Sequence, residues 1–325
     1  WPRAFGGRDA TPIEQVIWNQ EEGRYAVPPN VFLIGIGLVG PTVMIHGTDD
    51  QKTTFLPRAL TGEDIWCQLF SEPAAGSDLA GIRTRARRED DEWVISGQKV
   101  WTSGAHYSTH GILLARTDWD VPKHAGISML VLPMRQPGVE VRPLNQMTGV
   151  AHFNEVFMDG ARIPADWVVG EEGDGWRMAV ALLAHERSSI GSGGGRQPIP
   201  TGRIIDLARS AGRTADPLVR QDLARLVTGT RIIQWLNLRQ GIHPSIPKLW
   251  RSAQGRLASQ VTSGLAFPGG AAWLGDPMGT TEPGDFTSAD GSHWSYGICD
   301  SRAHSLGGGT DEIQRNTLGE RVLGL

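Results

Sequence analysis

The spacing of apolar residues changes period twice along this 325-residue chain, and that change restricts the fold more than any motif does. From Pro12 to about Leu60 apolar positions recur at helical intervals. From Ile65 to about Val169 they alternate or form short apolar blocks, as strands do: Ile65, Cys67 and Leu69; Trp93 and Ile95; "GILLA" at Gly111–Ala115; then "ISMLVLP" and "VEVRPL". "EDDE" and "SGQ" supply turns between them. Helical spacing returns with "GWRMAVALLAHERSSIG", where Trp176, Val180, Leu182 and Leu183 share one side. It continues over Ile204–Ala211, Pro217–Asn237, Pro247–Leu265 and Asp311–Leu323. Helices, then strands, then helices predict an α+β chain in three parts: residues 1–60, 61–168 and 169–325. "TDDQ" at Thr48–Gln51 reads as a capping box, with Thr48 as N-cap and Gln51 at N3. The Gly- and Pro-rich stretch 268–294 reads as a long loop.

Composition removes several classes of function. The formal net charge is −4 and the pI about 6.2, which gives no reason to expect nucleic acid or an anionic membrane surface. The two cysteines, Cys67 and Cys299, lie in unrelated contexts without metal-type spacing. A reducing, cytoplasmic setting and no metal site are therefore expected. No apolar run has the length of a membrane span and no signal peptide opens the chain. The loop-like start "WPRAFGGRDA" suggests residues before Trp1, and "NLRQGIHPSIPKLW" suggests a missing segment near Gln240–Gly241. "GIGLVG", Gly35 to Gly40, matches a dinucleotide fingerprint. Helical spacing around it (Phe32, Ile36, Val39, Val43) and Pro41 immediately after it favour close helix packing instead.

Two stretches carry chemistry. In "WCQLFSEPAAGSDLAG" a strand runs out at Ser71, Glu72-Pro73 breaks it, and small residues follow that let backbone approach a ligand. "GQKVWTSGA" puts an aromatic plane, Trp101, two residues before a hydroxyl, Ser103, which suits a flat heteroaromatic ring. Taken alone, each stretch reads equally as an ordinary strand end. Together with "ILLARTD", "FNEVFMDGARIPADWVVGEEGDGW" and the terminal "GGTDEIQRNTLGERVLGL", the combination resembles the acyl-CoA dehydrogenase family over nearly the whole chain.

The resemblance implies an N-terminal helical domain lacking its start, a middle β domain and a C-terminal four-helix domain. It also implies FAD, an acyl-CoA thioester and an electron-transfer flavoprotein as electron acceptor, in a homo- or hetero-oligomer arranged as a dimer of dimers. By position, Gln68, Phe70 and Ser71 resemble residues lining the flavin, with the Ser71 hydroxyl at its pyrimidine edge. Ser77 resembles the residue beside the pyrophosphate and the CoA. Trp101 corresponds to the residue packed along the isoalloxazine, and Ser103 to a hydrogen-bonding partner near N5, the atom that receives the β hydride. Thr310 and Glu312 resemble the C-terminal cofactor contacts.

The chain departs from the family at the base. The family's reaction removes an α proton to a carboxylate while the thioester carbonyl is held by hydrogen bonds. Many members place the catalytic glutamate directly before Gly-Thr of the C-terminal motif; here that position is Gly308, in "GGGT". Asp311 and Glu312 follow at a helix N-terminus, where interaction with the helix dipole accounts for them. Other members keep the base in a Glu-Arg pair on the first long helix of the C-terminal domain, matched here by Glu186-Arg187. The expectation is Glu186 as base, Arg187 holding the CoA end or Glu186, His185 as a neighbour, and the Gly308 N–H on the thioester carbonyl. Small residues at Ser189–Gly195 suggest room for a branched or bulky acyl group. The family's Arg followed by Phe-Gly, which reaches FAD across a dimer interface, is altered: Thr214 stands at the Phe, and the arginine is shifted to Arg209 or Arg213. This loss and Gly308 leave open a non-catalytic or half-site partner chain, and an acyl-CoA oxidase on the same fold also remains open.

Overall fold

The computed structural model describes residues 1–22, 25, 30–191, 201–239, 241–267 and 292–325, with side chains undescribed at 12, 16, 19, 20, 184–191, 237 and 292–295. The described residues form two compact units, Trp1–Asn145 with Ala151–Glu186, and Gln146–Val150 with Arg187–Leu325. Gln240 and most of the Gly- and Pro-rich 268–294 lie outside the description.

The first unit opens with helices α1 (Pro12–Glu22), α2 (Gly40–His46) and α3 (Asp49–Thr61). A π-helical turn, Gly35–Val39, runs directly into α2, so "GIGLVG" is helical and no phosphate loop. Its glycines make close approach possible. A Cβ on Gly35 would lie 2.9 Å from the Trp66 ring, and one on Gly40 would lie 2.1 Å from the Trp1 ring. The capping box starts α3 as the sequence predicts: the Thr48 hydroxyl accepts from Gln51 N at 3.2 Å and Gln51 Oε1 accepts from Thr48 N at 3.2 Å. Gln51 does more than cap. Its Nε2 donates to the Asp166 and Val168 carbonyls, at 2.6 and 2.8 Å, and so joins the helix to the end of the sheet region.

The sheet has eight strands: β1 (Trp66–Leu69), β2 (Arg85–Glu89), β3 (Glu92–Ser103), β4 (His110–Arg116), β5 (Ile127–Pro133), β6 (Val139–Leu144), β7 (Phe153–Pro164) and β8 (Val168–Val169). Their order is β6-β7-β3-β2-β4-β5-β8, with β1 parallel to β4. Strands β4 and β5 are apolar on both faces because each face meets a core. Ile112 and Leu114 join Phe55, Leu56 and Leu182 in one cluster, while Leu113 and Ala115 join Trp93, Ile95, Val156 and Ile163 in the other. On α4 (Gly175–Gly191) the buried apolar side chains among the described residues are Met178, Ala179 and Leu182. Leu182 lies in the core and Trp176 and Leu183 pack against it, as the spacing predicts, while Val180, expected on the same side, is only half-buried.

In the second unit α5 (Thr201–Ser210), α6 (Pro217–Leu238) and α7 (Ser245–Ala266) bury Ile204, Ala208, Val219, Leu226, Ala258, Val261 and Leu265 together. Asp216 caps α6, accepting from Leu218 N at 2.9 Å, with Pro217 at the first helical position. α8 (Ser292–Asp300) follows, and α9 (Asp311–Thr317) continues as a π turn to Leu323. No helix among the described residues is long and apolar enough to cross a membrane.

Candidate active site

The first unit joins the two chemical stretches through backbone and buried charge. Strand β1 ends at Leu69, and the Ser71 carbonyl accepts from Val100 N on β3 at 2.9 Å. Lys99, fully buried, donates from Nζ to the Phe70 carbonyl at 3.0 Å and to Glu72 Oε1 at 2.8 Å. Glu72 also accepts from Arg83 N at 2.6 Å and Thr84 N at 2.9 Å, which folds the "EPAAGSD" turn back on itself. Burial pushes the Lys99 ammonium down to about 8, against the pull of Glu72. Burial raises the Glu72 carboxyl, but the ammonium and the hydrogen bonds outweigh it and hold the group below the usual carboxylate range. Both groups are therefore charged at neutral pH.

Trp101 sits where β3 and β7 lose register, between Lys99 and Thr102. Its φ is +60°, a left-handed conformation that a bulky residue adopts only when the surroundings enforce it. The residue is 61 % exposed, and its ring makes an edge-to-face contact with Phe153 at 6.0 Å and 87°. Gln68, Ser71 and Ser103 lie at the ends of the same two strands, and their side chains make no hydrogen bond among the described residues. Phe70 is buried. Ser77 is exposed at the far end of the turn, next to Asp78, which pairs with Lys123 at 2.7 Å. An exposed aromatic plane beside unpartnered polar side chains fits a flat ring with hydrogen-bonding edges, as a flavin has.

The second unit builds the glycine stretch onto α9. Gly308 and Gly309 have φ of +70° and +84°. Thr310 caps the helix, its hydroxyl accepting from Ile313 N at 3.2 Å, which leaves the hydroxyl proton to donate elsewhere. Buried Gln314 donates from Nε2 to the Gly308 carbonyl at 3.0 Å and accepts from the Ser245 hydroxyl at 2.5 Å. The Gly308 N–H makes no hydrogen bond among the described residues. Asp311 needs more than the dipole reading. It is buried and accepts from Lys248 at 2.7 Å and Arg256 at 3.2 Å. Burial raises its carboxyl, and these two cations more than reverse the effect, holding it below the usual range. Glu312 is exposed and faces Arg315 at 3.5 Å. Arg209 and Arg213 pair on the surface with Asp206 and Asp216, at 2.6 and 2.7 Å. Glu186 and Arg187 lie on α4 with their side chains outside the description, as does that of His185; of Ser189–Gly195, residues 192–195 lie outside it entirely. Cys67 and Cys299 are free thiols, and burial pushes Cys67 up to about 12.

Residues 1–63 match the acyl-CoA dehydrogenase N-terminal domain and residues 67–161 the acyl-CoA dehydrogenase middle domain. The acyl-CoA dehydrogenase IpdE1 of Mycobacterium tuberculosis is 41 % identical over 343 residues, which span all of this chain and 83 % of that protein. The chain belongs to the acyl-CoA dehydrogenase family. It is thus an oxidoreductase of a flavoprotein family involved in lipid degradation. The acyl-CoA dehydrogenase FadE34 of the same organism is 36 % identical over all of this chain and 44 % of its own length. Among solved structures, the Tcur3481-Tcur3483 steroid ACAD matches with a TM-score of 0.87 and 29 % identity, over all of this chain and 84 % of that one. The ChsE4-ChsE5 complex from Mycobacterium tuberculosis matches at 0.83 and 29 %, over all of this chain and 85 % of that one. The family's arrangement of N-terminal helices, a middle sheet and a helical C-terminal region is the one described above.

The sequence named Glu72 only as a strand breaker and did not mark Lys99, Asn154 or Gln314 at all. Lys99 had a legible signal: it shares the parity of Trp93 and Ile95 on β3, so a charge falls on the buried face.

Proposed function

We propose that the chain catalyses FAD-dependent α,β-dehydrogenation of an acyl-CoA thioester, with electrons passing on to an electron-transfer flavoprotein. The observation that carries this reading is Trp101, held exposed and left-handed at the junction of the two motif-bearing strands, in a chain of this family. Gln68, Phe70, Ser71, Trp101 and Ser103 would hold the isoalloxazine; Ser77, Thr310 and Glu312 would contact the rest of the cofactor, Ser77 also the CoA. When bound, the flavin supplies the two-electron acceptor for the hydrogen leaving the β carbon. The chain's own work is at the α carbon. The Glu186 carboxylate takes the α proton, Arg187 holds the CoA end or Glu186, and the Gly308 N–H donates to the thioester oxygen as enolate charge develops. One such donor is worth about 10²–10³ in rate. Without a partner among the described residues, that N–H supports the assignment.

The likeness to a steroid ACAD supports a bulky, steroid-derived acyl group over a short straight one. The division at 1–60, 61–168 and 169–325 and a cytoplasmic setting belong to the same reading; the family matches at 1–63 and 67–161 support the first boundaries. A second reading, a half-site or non-catalytic partner in a hetero-oligomer, is favoured by Gly308 and by similarity to a two-component complex, ChsE4-ChsE5. The visible spectrum of the purified chain separates the two. Bound flavin that bleaches on adding acyl-CoA supports a complete enzyme. Colourless protein that gains flavin only with a second chain supports the half-site.

A further inference from the structure

We propose that Asn154, Lys99 and Glu72 are positioning residues that lock a bulge in β3 and thereby aim Trp101 at the flavin. The proposal rests on the reading of Trp101 as the residue packed along the isoalloxazine.

Lys99 is opposite Val156 and Thr102 is opposite Asn154, so β3 advances three residues while β7 advances two. The extra residue falls at Val100–Trp101. A bulge of this kind re-aims a side chain and breaks the ladder. It also puts Trp101 at φ +60°, which a tryptophan does not hold unaided. Buried polar side chains close the bulge from both ends. Before it, Lys99 binds the Phe70 carbonyl and Glu72, while the Val100 N–H is taken by the Ser71 carbonyl. After it, Asn154, fully buried, donates from Nδ2 to the Thr102 carbonyl at 3.0 Å, and its Oδ1 lies 3.2 Å from His106 Nδ1. The neighbouring Phe153 ring stands perpendicular to that of Trp101, in edge-to-face contact. Among the described residues, the side-chain bonds of Lys99 and Glu72 all go to one another and to backbone. A methionine would fill the volume of Lys99 without the desolvation of a buried charge. What it would not do is tie β3 to the Phe70 carbonyl and Glu72. The same bonds fix Ser71, so one clamp sets both strand ends.

Two measurements test this. The near-ultraviolet circular dichroism of the apo chain isolates Trp101 as the band removed by Trp101→Phe. The proposal expects that band to collapse in Asn154→Ala and in the charge-balanced double variant Lys99→Met/Glu72→Gln, with the far-ultraviolet spectrum unchanged. A band that persists in both overturns the clamp. The second measurement is the FAD dissociation constant, read from quenching of flavin fluorescence, in a double-mutant cycle. Asn154→Ala is expected to weaken FAD about tenfold or more with Trp101 present and less than about twofold in a Trp101→Ala background. Equal losses in both backgrounds overturn the positioning role, since a general loosening of the fold acts without Trp101. Unchanged affinity in Trp101→Ala itself overturns the flavin-packing reading, and the dichroism then judges the clamp separately. Asn154→Ser replaces Asn154→Ala if the latter does not fold.

Discussion

Replacing Gly309 by alanine turns the geometry before α9 into a number. At φ +84° an L residue costs about 1–2 kcal/mol. The new Cβ would also lie 2.5 Å from Gln314 Nε2, closer than real contacts allow. The Gln314 side chain ends are not free to swing away, because one binds the Gly308 carbonyl and the other the Ser245 hydroxyl. Displacing it forfeits both bonds, each worth about 0.5–1.5 kcal/mol. The sum is a loss of about 2–5 kcal/mol. Gly212→Ala is the control: φ is +66° in the same unit, with nothing within 4 Å of its Cβ, so it pays the backbone cost alone. The unfolded-state gain from alanine is common to both and cancels in the comparison. Urea unfolding followed by far-ultraviolet circular dichroism should therefore separate the two variants by about 1–3 kcal/mol. Equal midpoints and slopes would show that Gln314 does not hold the glycine turn and would refute the reasoning.

Three further outcomes are expected. Asp311→Asn strands Lys248 and should cost about 3 kcal/mol near neutral pH. Lys248 and Arg256 hold the Asp311 carboxyl below the ordinary aspartate range in the folded chain, so its contribution is fully present above that ordinary value and is lost as pH falls through the lower, folded one. Thermal midpoints of variant and wild type should accordingly stay apart above about pH 4 and draw together as pH falls further below it. Gln51→Ala removes half of a capping box and both bonds to the Asp166 and Val168 carbonyls; a loss of about 2–3 kcal/mol in chemical denaturation is expected. Lys99→Met alone leaves Glu72 buried without its cation and should destabilise by about 3–5 kcal/mol, most of it recovered by adding Glu72→Gln.

The sequence made period changes, caps and most helices legible because these are local. Thr48 and Gln51 name their own cap, and the apolar blocks at β4 and β5 mark a strand pair buried on both faces. Helix α8 was not expected, since its Ser292 start lies inside a Gly- and Pro-rich stretch. The motifs located the ends of β1 and β3 but not what binds them. The partner of Lys99 is 27 residues away, and that of Asn154 is 52. No local pattern gives such pairings. Asp311 misled for a related reason. An acid in a first helical turn is accounted for by the dipole until Lys248 and Arg256 arrive from α7. Gly308 was informative because glycine excludes a side-chain role and leaves only the backbone N–H to argue from.

The decisive test concerns the proton. Glu186→Gln, supplied with FAD, is mixed anaerobically with a steroid-derived acyl-CoA while the visible spectrum is followed. Loss of bleaching by a factor of about 10³ or more, with FAD still bound, is the expected result. Bleaching at the wild-type rate would contradict Glu186 as the base and, with Gly308 unable to serve, would require a base from elsewhere.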